Sequence, residues 1–432
     1  MIGVESPKRV LTFKERLFWT IIIIIVYLFL SSIPIYGISP EASSFIYQIS
    51  MLLGGTFGSL VTLGVGPIVL ASIILMLLIG GEVIKIDFMS PEGRAKYEEY
   101  QKILAIIFIF VEGLIHVLFG WLRPISIEFF PIVYLQVILG GFIILLLDDL
   151  STKYGFTPGV NLFILAAISK SFFTRMVVFL QDAFTNLAQG NLVNAMLPLG
   201  EIIVAFIVLI LATYLHKIYT EIPIPLGRVR GRSIRFPVKL LYTSVIPIIL
   251  LFAFWANLRF WAWVLQRTPL ETLGKIIATF DERGNVIGGI LLYITPPNLL
   301  AYVLTHGGIS LEIVIRSVTY FFWSVIGAAI FSYLWIFSSG MDPAKLALQF
   351  SQAFPFRDPR LIERTLERYI IPISIIGGAA VGFLNAIADI FGSVISGISL
   401  LLAVAIAEDL YENVIKPNWE EIKQIIKIPW FT

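Results

Sequence analysis

The sequence has no cysteine. Disulfides and thiolate metal sites are therefore excluded. Histidine is almost as rare: His116, His216 and His306 are the only three, and they lie far apart, so no metal site is expected. No glycine-rich stretch has the GxxxxGKS or GxxxxGKT spacing of a phosphate-binding loop, so energy for any directed work must come from outside the chain. Nothing calls for a catalytic residue or a cofactor, and no enzyme is expected. Charge is scarce as well. Charged residues make up 14% of the chain, where a soluble domain carries about 25%. A core of this size could not be covered with water-facing side chains from so small a supply, which makes the chain an integral membrane protein. A removable signal peptide is not expected either: the apolar run after Lys14 and Arg16 is too long, and no small-residue cleavage site stands out.

What the chain has instead is apolar length, with 58% hydrophobic residues. A bilayer needs about 20 mostly apolar residues per helix. Ten spans are expected, at roughly 18–38, 67–84, 103–121, 131–148, 159–181, 198–216, 238–264, 312–338, 369–389 and 392–412. An even number leaves both termini on one side. Basic loops stay in the cytoplasm, and 23 of the 31 Lys and Arg residues fall on the side that carries the termini. The expectation is a multi-pass protein of the cell membrane with both termini cytoplasmic. The ten spans divide into two halves of five, about 1–190 and 191–432, with the break in the polar stretch near 182–197. Five is odd, so the halves are inverted relative to each other. This symmetry rests on counting, with no clear residue-level repeat. The expected fold is an all-α polytopic membrane protein of ten transmembrane helices in two pseudo-symmetric inverted halves.

The longest uncharged run, Ala42–Gly81, is interrupted where a single helix would be easiest to build. It holds Gly54, Gly55, Gly58, Gly64 and Gly66, followed by Pro67. A broken helix is tolerated in lipid only where its freed backbone groups face protein or water. The run therefore points to a cavity, with residues 43–58 as a short half-helix that enters and turns back. Pro67 suits the first turn of a new helix, where its missing N–H costs nothing. A glycine-rich packing seam between helices is the plainer alternative.

GGTFGSLVTLGVGPIV at 54–69 is also where the chain resembles the SecY family, the central subunit of the protein-conducting translocation channel, and most closely its archaeal and eukaryotic branch. TFKERLFWT at 12–20, EIPIPLGRVRG at 221–231 and LERYIIP at 366–372 carry the same likeness, which covers essentially the whole chain. The resemblance implies that the half-helix before the second span is a re-entrant plug, here about Ser44 to Leu60, with the glycines as hinges. It implies a pore ring of aliphatic side chains: Val65 and Val69 in GVGPIV, Val160 and Ile164 in GVNLFI, Ile249 in VIPIIL and Leu402 in SLLLAV. Periodicity alone would read all six as ordinary helix core. It implies a lateral gate between spans two and three and spans seven and eight, with polar residues matched by Glu112 and Asn257. The second-span member of that cluster, often hydroxyl-bearing in the family, is Leu70 here, with Ser72 nearby as a substitute. An ionisable residue inside a span is a functional candidate; for Glu112 the alternative is a buried pair with a neighbouring cation.

The gate implies sorting by solvent. A central Leu or Ile gains about 0.3–0.6 kcal/mol in lipid, while a central Lys or Asp loses about 2.5–3.5. The partners implied are a SecE-type small subunit, a third small translocon subunit, a ribosome with its nascent chain, signal sequences and membrane lipids.

Two loops carry the docking candidates, 217–239 and 339–368. From Ile222 to Leu270 there is no acidic residue, while Arg228, Arg230, Arg232, Arg235 and Lys239 alternate with apolar residues around Gly231, the pattern of a protruding finger. Arg360, Arg364 and Arg368 recur every fourth residue and would stripe one helix face, with Arg357 just before them. Such loops suit a phosphate-rich partner, and the family's loops dock the ribosome; the alternative is a purely topological anchor. KRVLTFKERL at 8–17 is expected along the membrane interface, and Gly378 and Gly382 in GGAAVG are expected to bring helices close. Two rival functions remain: a secondary transporter, which needs converging charges near helix breaks, and a non-conducting scaffold.

Overall fold

The computed structural model describes residues 3–39, 55–81, 83–86, 90–118, 122–225, 233–266, 268–281, 285–339, 341–353 and 359–426. Ten apolar helices run through them: α1 Phe13–Leu30, α2 Gly66–Gly80, α3 Pro91–Leu118, α4 Phe130–Tyr154, α5 Gly159–Ala188, α6 Leu192–His216, α7 Ile246–Leu265, α8 Leu311–Ser338, α9 Pro359–Phe391 and α10 Gly397–Leu410. Each corresponds to one expected span. Six of them (α3, α4, α5, α6, α8 and α9) are long and apolar enough to cross a membrane unaided. The ends differ where local chemistry overrides hydropathy. α1 starts earlier than expected because Thr12 caps it: Thr12 accepts from the Glu15 N–H while Glu15 accepts from the Thr12 N–H, a reciprocal capping box. The seventh span begins later than 238, because Ser233–Lys239 is a strand. The polar stretch near 182–197 is mostly helical, and the chain turns only between Ala188 and Leu192.

The chain forms two compact units. The first holds residues 1–75, 86–171 and 406–432. Here Tyr27 of α1 stacks on Phe163 of α5, with ring centroids 4.8 Å apart. Asp149, at the far end of α4, is the other fastening. Its carboxylate accepts from Lys102 at 2.6 Å, from Lys153 at 2.9 Å and from the Val4 N–H at 2.6 Å. Lys153 also donates to the Val4 carbonyl, and Tyr154 to that of Glu5. The N-terminal segment is thus pinned to α3 and α4.

Asparagine at Asp149 keeps one acceptor but removes the charge shared by Lys102 and Lys153, so its thermal midpoint in detergent is expected to fall below that of wild type. An unchanged midpoint would show that this fastening does not support the fold.

The second unit holds residues 76–85 and 172–405. Its centre is the pairing of α8 with α9, built on small residues. A methyl at Gly382 would lie 2.3 Å from the Ser324 carbonyl, and one at Gly378 2.5 Å from Ser332 Cβ. Ser324 and Ser332 in turn donate to the carbonyls of Gly382 and Ser374, at 2.8 and 2.6 Å. The close approach expected at Gly378 and Gly382 is present, and small side chains make it possible.

β1 Tyr219–Pro225 and β2 Ser233–Lys239 pair as an antiparallel hairpin. Side chains along the two described strands alternate with a period of two. Ile222, Ile224 and Val238 point inward and are buried, while Glu221, Pro223, Arg235 and Lys239 point out. Prolines 223, 225 and 237 are tolerated because both strands are edges.

Candidate functional site

The glycine-rich run is resolved from Gly55 onward; Ser44 and Gly54, with the first part of the expected plug, lie outside the described residues. Residues 55–65 are not helical, which corrects the half-helix expected to reach Gly58. They form a chain of turns instead. Gly58 and Gly64 take positive φ, +78° and +53°, a region that costs glycine nothing. The Thr56 carbonyl accepts from the Ser59 N–H at 3.0 Å, the Ser59 hydroxyl at 2.6 Å and the Thr62 hydroxyl at 3.4 Å. Side chains that satisfy the backbone locally compete with a helix. The run is also tied down: Ile35 N–H donates to the Gly58 carbonyl and Leu60 N–H to that of Ile33, at 2.8 and 3.0 Å. Gly140 of α4 lies so close that a methyl there would sit 1.7 Å from the Leu60 carbonyl oxygen. Helix α2 then starts at Gly66 with Pro67 second, as expected.

The expected ring residues lie on four helices or just before them. Val65 and Ile164 are buried, and Val69, Val160, Ile249 and Leu402 are half-buried. Their positions repeat between the halves. Val69 and Ile249 each stand two residues after the proline that is second in α2 and α7, Pro67 and Pro247. Ile164 and Leu402 each stand five residues after the glycine that opens α5 and α10, Gly159 and Gly397.

A second correspondence frames them. Asp148 in α4 accepts from the Val160 N–H at the start of α5, at 2.9 Å. Asp389 in α9 accepts from the Gly397 N–H at the start of α10, at 2.8 Å. Seven residues before each aspartate is a glycine pressed on the preceding long helix. A methyl at Gly141 would meet Ile109 of α3 at 2.9 Å, and one at Gly382 meets α8 as described. The Gly-x6-Asp spacing occurs four times in the sequence, also at Gly80/Asp87 and Gly274/Asp281, so the spacing alone does not single out this pair; the helices supply the frame.

At the gate, Glu112 is half-buried in α3; its carbonyl accepts from His116 at 2.7 Å. Among the described residues no cation pairs with the Glu112 carboxylate, so the buried ion-pair alternative finds no support. Leu70 is 36% exposed. Ser72 is already engaged: its hydroxyl donates to the Ile68 carbonyl at 2.9 Å and accepts from Gln101 at 2.7 Å, joining α2 to α3. Asn257 lies in α7, with its side chain outside the description.

The docking candidates converge within the second unit. Ile222, Ile224 and Val238 of the hairpin share one core with Ile362, Leu366, Ile370 and Ile373 of α9 and Ala347 of the helix Pro343–Ala353. Fully burying a side chain such as Ile222 contributes about 1.5–3 kcal/mol. With the isoleucine and leucine stripe of α9 turned inward, Arg360, Arg364 and Arg368 face out. Arg235 is paired with Glu221 across the hairpin at 2.9 Å, an acidic residue just outside the basic stretch. Both side chains are well exposed, so the pair is worth little. Arg228, Arg230, Arg232 and Arg357 lie outside the described residues.

Three of the charges a transporter could use are otherwise occupied. Asp389 accepts from the Tyr320 hydroxyl at 2.6 Å and caps α10. Glu201 accepts from Asn298 at 3.4 Å, and Lys170 donates to Ser31 at 2.9 Å. Among the described residues no three acidic or histidine side chains are grouped to hold a metal ion.

Ten apolar helices in two halves, with turn-broken entries to α2 and α7 and a tethered glycine-rich segment before α2, define a helical membrane channel. Residues 59–411 match the SecY family and residues 25–58 the plug domain of Sec61p. The chain is 32% identical to the protein translocase subunit SecY of Pyrococcus horikoshii, over 97% of this chain and 94% of that one. It is 34% identical to the same subunit of Methanothermobacter thermautotrophicus, over 98% and 95%. Among solved structures it is similar to that of a protein-conducting channel, with a TM-score of 0.76 at 31% identity over 100% of this chain and 98% of the other. It is also similar to Sec61 in the canine ribosome-channel complex from the endoplasmic reticulum, with a TM-score of 0.74 at 29% identity over the same shares. The chain belongs to the SecY family of protein-conducting channels.

Proposed function

We propose that the chain moves secretory polypeptides through a constriction formed by Val65, Val69, Val160, Ile164, Ile249 and Leu402. Hydrophobic segments leave it sideways, past Leu70, Glu112 and Asn257. The observation that carries this reading is the repeat-equivalent placement of Val69 with Ile249 and of Ile164 with Leu402, all at the entry turns of their helices. An apolar constriction excludes ions by dewetting and offers a passing peptide no polar group to hold. The segment from Ser44 to Leu60 seals it at rest, hinged at its glycines. Both termini, the hairpin and the start of α9 face the cytoplasm of a cell-membrane protein, where Arg228, Arg230, Arg232, Arg235, Lys239, Arg357, Arg360 and Arg364 dock a ribosome. A SecE-type subunit holds the halves 1–190 and 191–432 together, with a third small subunit beside them.

The test places a photo-crosslinker at Val69 and, separately, at Leu402. The protein is reconstituted with its small partner and engaged by a ribosome stalled on a secretory chain. Crosslinks from both sites to that chain, and none to a cytosolic one, are expected. Bound ribosomes without a crosslink from either site would remove the pore assignment.

A further inference from the structure

The end of the chain has a feature the channel reading does not use. α10 is 14 residues long, about 21 Å at 1.5 Å per residue, short of the roughly 30 Å hydrocarbon core. Tyr411–Ile415 continues it as a π-turn, with Lys416 N–H donating to the Tyr411 carbonyl at 2.8 Å. Three residues later, past Pro417, a separate helix covers Trp419–Ile426. Apolar side chains recur along this path at one-turn spacing and stay exposed: Tyr411 at 49%, Ile415 at 36% and Trp419 at 42%, followed by half-buried Ile422. One position further on, Glu412, Lys416, Glu420 and Lys423 recur at the same spacing. Lys423 pairs with Glu420 at 3.1 Å and lies 5.8 Å from the Trp419 ring centroid.

We propose that Tyr411–Ile426 is an interfacial anchor, with Tyr411, Ile415, Trp419 and Ile422 seated in the headgroup–acyl boundary and a lipid surface as the partner. Three residues of linker reach at most about 11 Å, so the helix starts within that distance of the end of the path that continues α10. Tyr and Trp are the side chains favoured at that depth. The charges of the segment are three acidic (Glu412, Glu420, Glu421) and two basic (Lys416, Lys423), which offers no basic face to a phosphate-rich partner or an anionic lipid. Binding therefore rests on apolar burial and does not need anionic lipid. The Lys423 ammonium, over the Trp419 ring and paired with Glu420, marks the polar edge of the stripe.

The absence of native cysteine makes the test clean. Single cysteines are placed at Ile415, Trp419, Ile422, Lys416, Glu420 and Lys423 of the full chain and labelled with a nitroxide. The protein is reconstituted in phosphatidylcholine vesicles with and without phosphatidylglycerol. The ratio of oxygen to nickel-chelate accessibility is expected to be several-fold higher at 415, 419 and 422 than at 416, 420 and 423, in both lipids. Equal chelate access at 419 and 420 would place the helix in water and overturn the proposal. Exclusion of both probes at 419 and 422 would mean that protein covers the stripe, and would overturn it too. A pattern seen only with phosphatidylglycerol would overturn its apolar basis.

Discussion

Alanine at Gly140 is expected to make the resting protein leak ions. The added methyl would lie 1.7 Å from the Leu60 carbonyl oxygen, and neither partner is a side chain that can rotate away. The turn run must therefore shift by more than an ångström, and it is continuous with the matched plug segment 25–58. Overpacking of this kind costs about 1–3 kcal/mol. Borne by the sealed arrangement alone, it lowers the sealed-to-open ratio by about 5- to 150-fold. Gly141→Ala is the control. Its methyl would meet Ile109 Cγ2 at 2.9 Å and Cγ1 at 3.1 Å, so it strains the α3–α4 contact and not the Leu60 backbone. Conductance in planar bilayers without client should rise for Gly140→Ala and stay near wild type for Gly141→Ala. A Gly140→Ala protein that melts early yet does not leak would show that the contact supports the fold and not the seal.

Leucine at Asp389 is expected to be strongly destabilising. It removes the acceptor of the Tyr320 hydroxyl at 2.6 Å and that of the Gly397 N–H at 2.8 Å. Each stranded buried donor costs about 1–3 kcal/mol, and the two share one network, so about 3 kcal/mol in total is expected. Asp389→Asn keeps one acceptor and should fall between leucine and wild type. Tyr320→Phe in the leucine background removes the stranded hydroxyl and should return part of the loss, although Asn385, which donates to that hydroxyl at 3.1 Å, then loses a partner. Thermal midpoints of the four proteins in detergent decide the matter. A leucine variant as stable as wild type would remove the network from the account of the fold.

Much of this architecture was legible in the residues. The ten spans follow from hydropathy, because apolar length is a property of a segment and needs no partner. The break before α2 follows from five glycines and Pro67, whereas the basic loop was expected only as a protruding finger and the paired strands came with the structure. The half-helix reaching Gly58 did not survive, because Thr56, Ser59 and Thr62 bond to nearby backbone and Gly58 takes a positive φ. The ring could not have been read from periodicity. Its members look like any helix core, and only the family likeness singled them out.

Sequence alone thus established the membrane class, the number of spans and the place of the helix break. All of these are set by local hydropathy and backbone preference. Folding settled which polar groups have partners. Ser72 is taken by Gln101, Asp389 by Tyr320 and the Gly397 N–H, and Arg235 by Glu221. It also settled which glycines matter, Gly140 against Leu60 and Gly382 against Ser324. A side chain's partner across a helix contact depends on how two distant segments approach, and no property of either segment alone records that approach.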